Sequence, residues 1–210
     1  MGLSEKIRNS RKKPEGFIGR MTAKRMNGGP NARLAEWGFK HIRSYGNEDA
    51  IDLGCGGGAN IAKLLSYLPA GNVTGIDYSE VSVEVSRALN DAAIKGGRCS
   101  VLLANVSTIP LPDCSFHLAT AFDTVSFWPD PVSCFREVLR ILKPGGTFLI
   151  VNAGDGKNRK SVDRAASVEG MTLYNGSMLD EMLAAAGFSD IVIDDDEKKD
   201  RICVKAVKKA

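Results

Sequence analysis

Two hydrophobic rhythms alternate along the middle of this chain: short continuous apolar runs, and stretches whose apolar positions recur every three or four residues. Ala50-Ile51-Asp52-Leu53 predicts a buried strand that runs straight into glycines. A helix follows over Asn60 to Leu68, with Ile61, Leu64, Leu65 and Leu68 on one face and Pro69-Ala70-Gly71 as its stop. Val73 to Asp77 predicts a second strand, and Ser79 caps a helix carrying Val81, Val85, Ala88, Leu89 and Ala92. Gly96-Gly97 ends that helix, and Cys99 to Leu103 predicts a third strand. Ser107 to Ser115, with two prolines, is loop; Phe116 to Phe122 is strand and Pro131 to Leu142 helix. Lys143-Pro144-Gly145-Gly146 then turns into a strand over Thr147 to Asn152. Strands alternating with helices imply parallel strands, right-handed crossovers and a sheet covered on both faces.

The flanks read differently. Upstream, Leu34, Trp37, Phe39, Ile42 and Tyr45 predict a helix over Asn31 to Tyr45, stopped by Gly46-Asn47. Downstream, residues 153 to 170 are glycine-rich and charged, and the expectation is a mobile loop. Ser177-x-x-Asp180 predicts a capping box for a helix ending at Gly187. Ile191 to Ile193 and Ile202 to Val207, joined by the charged turn Asp194 to Arg201, predict an antiparallel hairpin at the sheet edge.

Composition changes this picture little. A chain of 210 residues, 43% hydrophobic and 25% charged, fits one domain over residues 31–210 behind a basic leader at 1–30. Net charge is only +3, giving no global field for nucleic acid. The leader concentrates Lys6, Arg8, Arg11, Lys12, Lys13, Arg20, Lys24 and Arg25 against Glu5 and Glu15, which suits a solvated terminus or a phosphate- or lipid-facing arm. No apolar run reaches membrane-spanning length and no apolar stretch backs the leader as a secretion signal, so the expected location is cytoplasmic. Five scattered cysteines and two histidines imply neither a disulfide framework nor a metal site.

The chemistry concentrates at Asp52-Leu53-Gly54-Cys55-Gly56-Gly57-Gly58. Strand, glycines and helix in that order bring a ligand close to the backbone at a helix N-terminus. Gly54-x-Gly56-x-x-Ala59 also fits a dinucleotide loop. A carboxylate two residues before the first glycine suits a cationic ligand, however, and repels a pyrophosphate. Asp77 closes the next strand, where the ribose of an adenosine-type cofactor sits.

These residues resemble motif I of the class I S-adenosylmethionine-dependent methyltransferases. Gly75-Ile76-Asp77-Tyr78-Ser79 is similar to their acidic motif, and Pro110-Leu111-Pro112-Asp113-x-Ser115-Phe116 with Ala121-Phe122-Asp123 to their fourth-strand motif. The run Arg136 to Gly146 is similar to their helix and turn before the fifth strand, and the nearest subgroup is the ubiquinone/menaquinone-biosynthesis type. The resemblance implies a doubly wound, mostly parallel seven-stranded sheet of order 3-2-1-4-5-7-6 with strand 7 antiparallel, under an N-terminal helical lid. It implies S-adenosylmethionine as cofactor and S-adenosylhomocysteine as product, held by Asp52, Gly54, Cys55, Gly56, Gly58, Asp77, Tyr78 and Phe122. Asn105, with Val106 beside it, stands where the family usually has an aspartate that accepts from the adenine amino group.

Methyl transfer from a sulfonium rests largely on holding the acceptor in line and excluding water. Asp123 is the candidate for polarising the acceptor, and Phe17, Phe127, Trp128 and Tyr174 are candidates for its binding wall, with Thr124 and Asn152 nearby. Phe17 to Trp37 is the candidate lid and Gly28-Gly29-Pro30 its hinge. The expected acceptor is a small molecule, on a monomer or homodimer. Two alternatives stand beside it: a nucleic-acid methyltransferase, for which Phe122-Asp123-Thr124-Val125 lacks the Pro-Pro-aromatic motif, and a catalytically silent cofactor-binding protein.

Overall fold

Asp49 to Ala153 folds as strand and helix in alternation, and the elements stack in the order that this rhythm imposes. In a computed structural model, which describes residues 12–43 and 46–210, the sheet has seven strands. They are β1 (Ala50–Leu53), β2 (Val73–Asp77), β3 (Cys99–Leu103), β4 (Phe116–Phe122), β5 (Leu142–Ala153), β6 (Phe188–Asp196) and β7 (Arg201–Lys208). Their order is β3-β2-β1-β4-β5-β7-β6, with β7 antiparallel to both neighbours, as the resemblance implies. The helices are α1 (Gly16–Met26), α2 (Pro30–Phe39), α3 (Ala59–Tyr67), α4 (Glu80–Leu89), α5 (Asp91–Lys95), α6 (Pro131–Ile141), α7 (Arg159–Ala166) and α8 (Gly176–Ala186).

Strand alternation sorts the core into two faces. Ile51, Leu53, Ala119, Ala121, Phe148 and Ile150 face α6 and α8, packing with Phe135, Val138, Ile141, Leu179 and Leu183. Ala50, Val73, Val101 and Leu118 face the other way, against Phe39 of α2, Ile61 and Leu64 of α3 and Val83 of α4. Gly38 lets α2 lie on the sheet, since a Cβ there would stand 2.6 Å from the Val151 side chain. At the β3 edge, Arg87 of α4 reaches round to donate twice to the Val101 carbonyl, at 3.0 and 2.7 Å.

Several boundaries differ from expectation, each for a tertiary reason. α2 ends at Phe39; beyond it the backbone tightens, with His41 N–H on the Gly38 carbonyl, and His41 Nε2 reaches Asp194 at 2.7 Å. Tyr45, the last position of the expected helix, lies outside the described residues. The helix after β2 breaks at Asn90, whose side chain turns inward to the Gly58 and Ser86 carbonyls. The Lys143–Gly146 turn is a bulge inside β5: Phe116 pairs with Leu142, and Leu118 next with Thr147.

The stretch expected to be a mobile loop contains α7. The Asn158 side chain caps it, and Asp200, across the β6–β7 turn, receives the Ser161 hydroxyl. The predicted capping box is also absent. Asn175 caps α8 by accepting from Met178 N–H at 3.0 Å, while Ser177 faces Glu181. Gly187 ends that helix in the left-handed region, as read. The terminal hairpin forms, with β6 longer than its apolar centre suggested.

Candidate active site

At the carboxyl end of β1 the chain enters the glycine loop with Asp52 pointing toward the α2–α3 face. Asp52 is 1% exposed. Its Oδ1 accepts from the Thr120 hydroxyl at 2.7 Å, and its Oδ2, fully buried, has no partner. Burial, opposed by the Thr120 bond and reinforced by the nearby Asp77 carboxylate, pushes its pKa up to about 7. A buried carboxylate oxygen without a donor is costly to keep, and a cationic ligand group is the partner that would relieve it.

Most of the loop's amides are already used. Gly54 and Cys55 N–H both donate to the Ile76 carbonyl at 2.9 Å, and Gly58 N–H donates to Cys55 O at 2.9 Å. Gly56 N–H goes to Asp77 Oδ2 at 2.9 Å, and Ala59 N–H to Asn27 Oδ1 at 3.3 Å. The free amide cradle that the strand–glycine–helix pattern suggested is therefore largely closed off. That arrangement lacks what a pyrophosphate needs and leaves Asp52 as the loop's electrostatic signature.

The glycines divide their work. Gly54 has φ +74°, and a Cβ on it would lie 2.3 Å from Thr124 Oγ1, so only glycine lets the β4–α6 connection cross the loop. Gly58 faces away from the cavity: its missing Cβ makes room for Ser86 of α4 and for Asn90 just after it. The structure thus gives Gly58 a packing position, unlike the ligand contact expected of it. Gly57, not singled out in the sequence, is where α1 docks: a Cβ there would meet Ala23 O and Asn27 Oδ1, both at 2.4 Å. Asn27 clasps the loop by donating to Gly57 O at 2.9 Å.

Loop, α1 and α2 enclose a cavity of about 240 Å³ lined by Gly54, Cys55, Gly56 and Gly57, by Phe122 and Asp123, and by Met26, Asn27, Asn31, Asn60 and Lys63. The Cys55 thiol turns away toward Ser86, and burial holds it well above its ordinary pKa. Asp123 stands at the cavity with φ +56°, its Oδ1 accepting from Ala153 N–H at 3.1 Å. Met26, Asn27 and Asn31 fall within the segment expected as lid, whereas Asn60 and Lys63 were missed in the sequence because contacts between α3 and the loop carry no local signal.

Asp77 sits at the other end, buried, with Oδ1 accepting from Ser79 N–H at 2.9 Å and Oδ2 from Gly56. Burial raises its pKa while those backbone donors pull it down. An ionised carboxylate retains further lone pairs for ribose hydroxyls. The segment before α1 lies across this end: Tyr78 donates its hydroxyl to Lys12 O, and Ser79 Oγ donates to Pro14 O at 2.6 Å. Asn105 folds its Oδ1 into its own turn, accepting from Ser107 N–H at 3.0 Å and from Ser107 Oγ at 2.9 Å. The amide oxygen expected to accept from the adenine amino group is thereby engaged within its own turn. Val106 packs against the α6–α8 core.

The acceptor-wall candidates scatter. Trp128 is buried in the core, stacked near Phe148 and edge-on to Phe135, with Nε1 donating to Thr124 Oγ1 at 3.3 Å. Its position is that of a packing residue. Phe127 is half-buried in the short turn after β4, and Phe17 is 77% exposed and outside the cavity. Tyr174 is half-buried against the α6–α8 core. Asn152 extends the Phe148–Ile150 stripe to the carboxyl end of β5, 1% exposed, with both amide atoms unpartnered. The Ser126 hydroxyl is buried and unpartnered on that side too, and Thr172 N–H donates to the Ser126 carbonyl at 2.8 Å.

Fold and site together define an α/β domain that takes a cation-bearing adenosine cofactor at the carboxyl end of its sheet. Residues 51–150 match the family described as a methyltransferase domain. A phosphoethanolamine N-methyltransferase of Triticum aestivum is 33% identical over 70% of this chain and 29% of its own length. Cycloartenol-C-24-methyltransferase 1 of Oryza sativa is 32% identical over 48% of this chain, again 29% of its own length. The chain therefore spans under a third of these relatives. Among solved structures, an S-adenosylmethionine-dependent methyltransferase from Aquifex aeolicus superposes with a TM-score of 0.75 over 90% of this chain and 98% of that one, at 19% identity. A Haemonchus contortus phosphoethanolamine methyltransferase bound to S-adenosylhomocysteine gives 0.78 over 97% and 61%, at 17% identity. At such identities the structures show the fold. Residues 51–150 thus carry a methyltransferase domain, on the fold shared with S-adenosylmethionine-dependent methyltransferases.

Proposed function

We propose that this protein moves a methyl group from S-adenosylmethionine to a small-molecule acceptor. One observation carries the reading most directly: the unpartnered, fully buried Asp52 oxygen beneath a loop most of whose amides are taken. Such a site suits the ammonium and sulfonium charges of that cofactor and disfavours a nicotinamide dinucleotide. The residues fit it: Asp52 faces the cationic end, the Gly54–Gly57 backbone forms the floor, and Asp77 receives the ribose. When bound, S-adenosylmethionine supplies an electrophilic methyl on a good leaving group.

The chain's own contribution is then position and dryness. α1 and α2 roof the cavity, Met26 lying over Gly56, and this roof excludes water from the methyl donor. We take α1 as the lid and Gly28-Gly29-Pro30 as its hinge; Gly29 sits in the left-handed region just before Pro30 opens α2. Asp123, at the crest between the two sheet faces, polarises the acceptor or takes its proton where one must leave. Asn152 and Ser126 offer the acceptor's polar group an amide donor, an amide acceptor and a hydroxyl that can do either. The names of the relatives, sterol and phosphoethanolamine methyltransferases, support a small-molecule acceptor.

Calorimetry with S-adenosylmethionine, S-adenosylhomocysteine and NAD tests the cofactor, and label transfer from S-adenosylmethionine into a metabolite extract tests the reaction. Binding of NAD alone would overturn the proposal. Cofactor binding without transfer to any component would favour the silent reading, and transfer confined to added RNA or DNA the nucleic-acid one.

A further inference from the structure

α1 turns its small residues inward and its large ones out. Gly19 and Ala23 are buried, and Met26 lies over the cofactor loop. On the opposite side Phe17, Met21 and Lys24 follow at i, i+4 and i+7, and Ile18 and Arg25 form the adjoining row. Phe17 is 77% exposed, Met21 60% and Ile18 39%. Exposing the large apolar side chains of a helix whose other face is docked leaves a contiguous patch that needs a partner.

The flanking charges say which. Arg20 and Lys24 border the apolar residues on one side and Arg25 follows Ile18 and Met21 at the C-terminal end of the same face, with Lys12 and Lys13 just upstream. Arg20 pairs with Glu84 and Lys13 with Glu15, while Lys24 and Arg25 make no ion pair among the described residues. The first 25 residues hold eight Lys or Arg against two Glu. An apolar face with cations along one side and at both its ends, on a helix lying flat on its domain, matches an interface of acyl chains beneath anionic headgroups. A nucleic-acid backbone would use the cations but has no place for Ile18 and Met21. Among the described residues no helix is long and apolar enough to cross a membrane, so such contact would be peripheral.

We propose that the exposed face of α1 docks on an anionic phospholipid surface, with Phe17 and Met21 inserted and Arg20, Lys24 and Arg25 at the headgroups. The inference does not depend on the identity of the methyl acceptor. It would place the roof of the cofactor cavity at the lipid boundary.

Co-sedimentation of the full chain with vesicles of phosphatidylcholine, alone or mixed with phosphatidylglycerol, tests it. Binding to the mixed vesicles is expected, weakening as salt rises, with little to the neutral ones. F17S/M21S and K24E/R25E should each weaken it by about tenfold or more, and F17L/M21L should retain it. Thermal unfolding and S-adenosylhomocysteine binding of the variants check that the domain stays folded. Equal association with both vesicle types, binding undiminished in F17S/M21S, or capture by duplex RNA without vesicle binding would each overturn the proposal.

Discussion

The Asp77 carboxylate holds the glycine loop directly, its Oδ2 accepting from the Gly56 N–H at 2.9 Å while Oδ1 accepts from Ser79. One side chain thus fixes the loop at the position proposed for the ribose. Asp77→Asn can satisfy only one of those two backbone donors and turns an N–H₂ toward the other. It should lose about 1–3 kcal/mol of stability. Its S-adenosylhomocysteine affinity should fall by about tenfold or more, because charge-assisted acceptance is lost as well. Thermal unfolding with and without ligand separates the two effects, and full retention of affinity would remove the ribose assignment.

Asp52 gives the site a pH dependence whose sign is fixed. Its folded pKa is raised to about 7 from an ordinary 3.8. The folded, ligand-free protein therefore binds this proton more tightly than the unfolded chain, and its contribution to stability fades as pH rises between those values. Cofactor affinity runs the other way, growing as pH passes 7 and the carboxylate ionises. Asp52→Asn should flatten both profiles, raising the ligand-free Tm by a few degrees above neutrality. Titration calorimetry and melting from pH 5 to 9 check this. A variant with unchanged affinity would show that no cation meets the Asp52 oxygen.

Gly57 is the docking point for α1, and its Cα–H faces backbone on one side and Asn27 on the other. Gly57→Ala should lift the helix. Limited proteolysis near residues 16–30 should accelerate, while Asn27→Ala, which loses two hydrogen bonds, should cost about 1–3 kcal/mol. Unaltered cleavage in Gly57→Ala would mean that α1 accommodates the methyl by sliding.

Sheet order and the loop were legible because they are local: each strand is punctuated, and Asp52 and Asp77 fall at strand ends. The parts that failed depend on distant partners. Within residues 153–170 only the Asn158 cap announces α7, and its anchor, Asp200, lies far along the chain in the β6–β7 turn. Asn175 and Ser177 are both competent caps, and packing of Gly176 against Ile193 and Ile202 accompanies the choice of Asn175. Gly58 read like its neighbours because spacing alone does not tell which glycine faces a ligand and which faces a helix.

Asn152 separates a binding role from a structural one. With both amide atoms buried and unpartnered, replacement by the similarly sized Leu removes a desolvation cost of about 1–3 kcal/mol in the ligand-free protein. Asn152→Leu should melt at a higher temperature, keep its S-adenosylhomocysteine affinity and lose methyl transfer. A lower Tm would identify the amide as a support of the fold instead.

Arg87 has a consequence for how the molecules behave in a crowd. The Val101 carbonyl points away from β2, where a further strand would otherwise add to the open rim of the sheet, and the guanidinium occupies it with two donors. A newcomer strand would have to displace that fork and meet a positive charge at the rim. The same side chain that ties α4 to β3 therefore acts as a guard against edge-to-edge polymerisation during synthesis and storage.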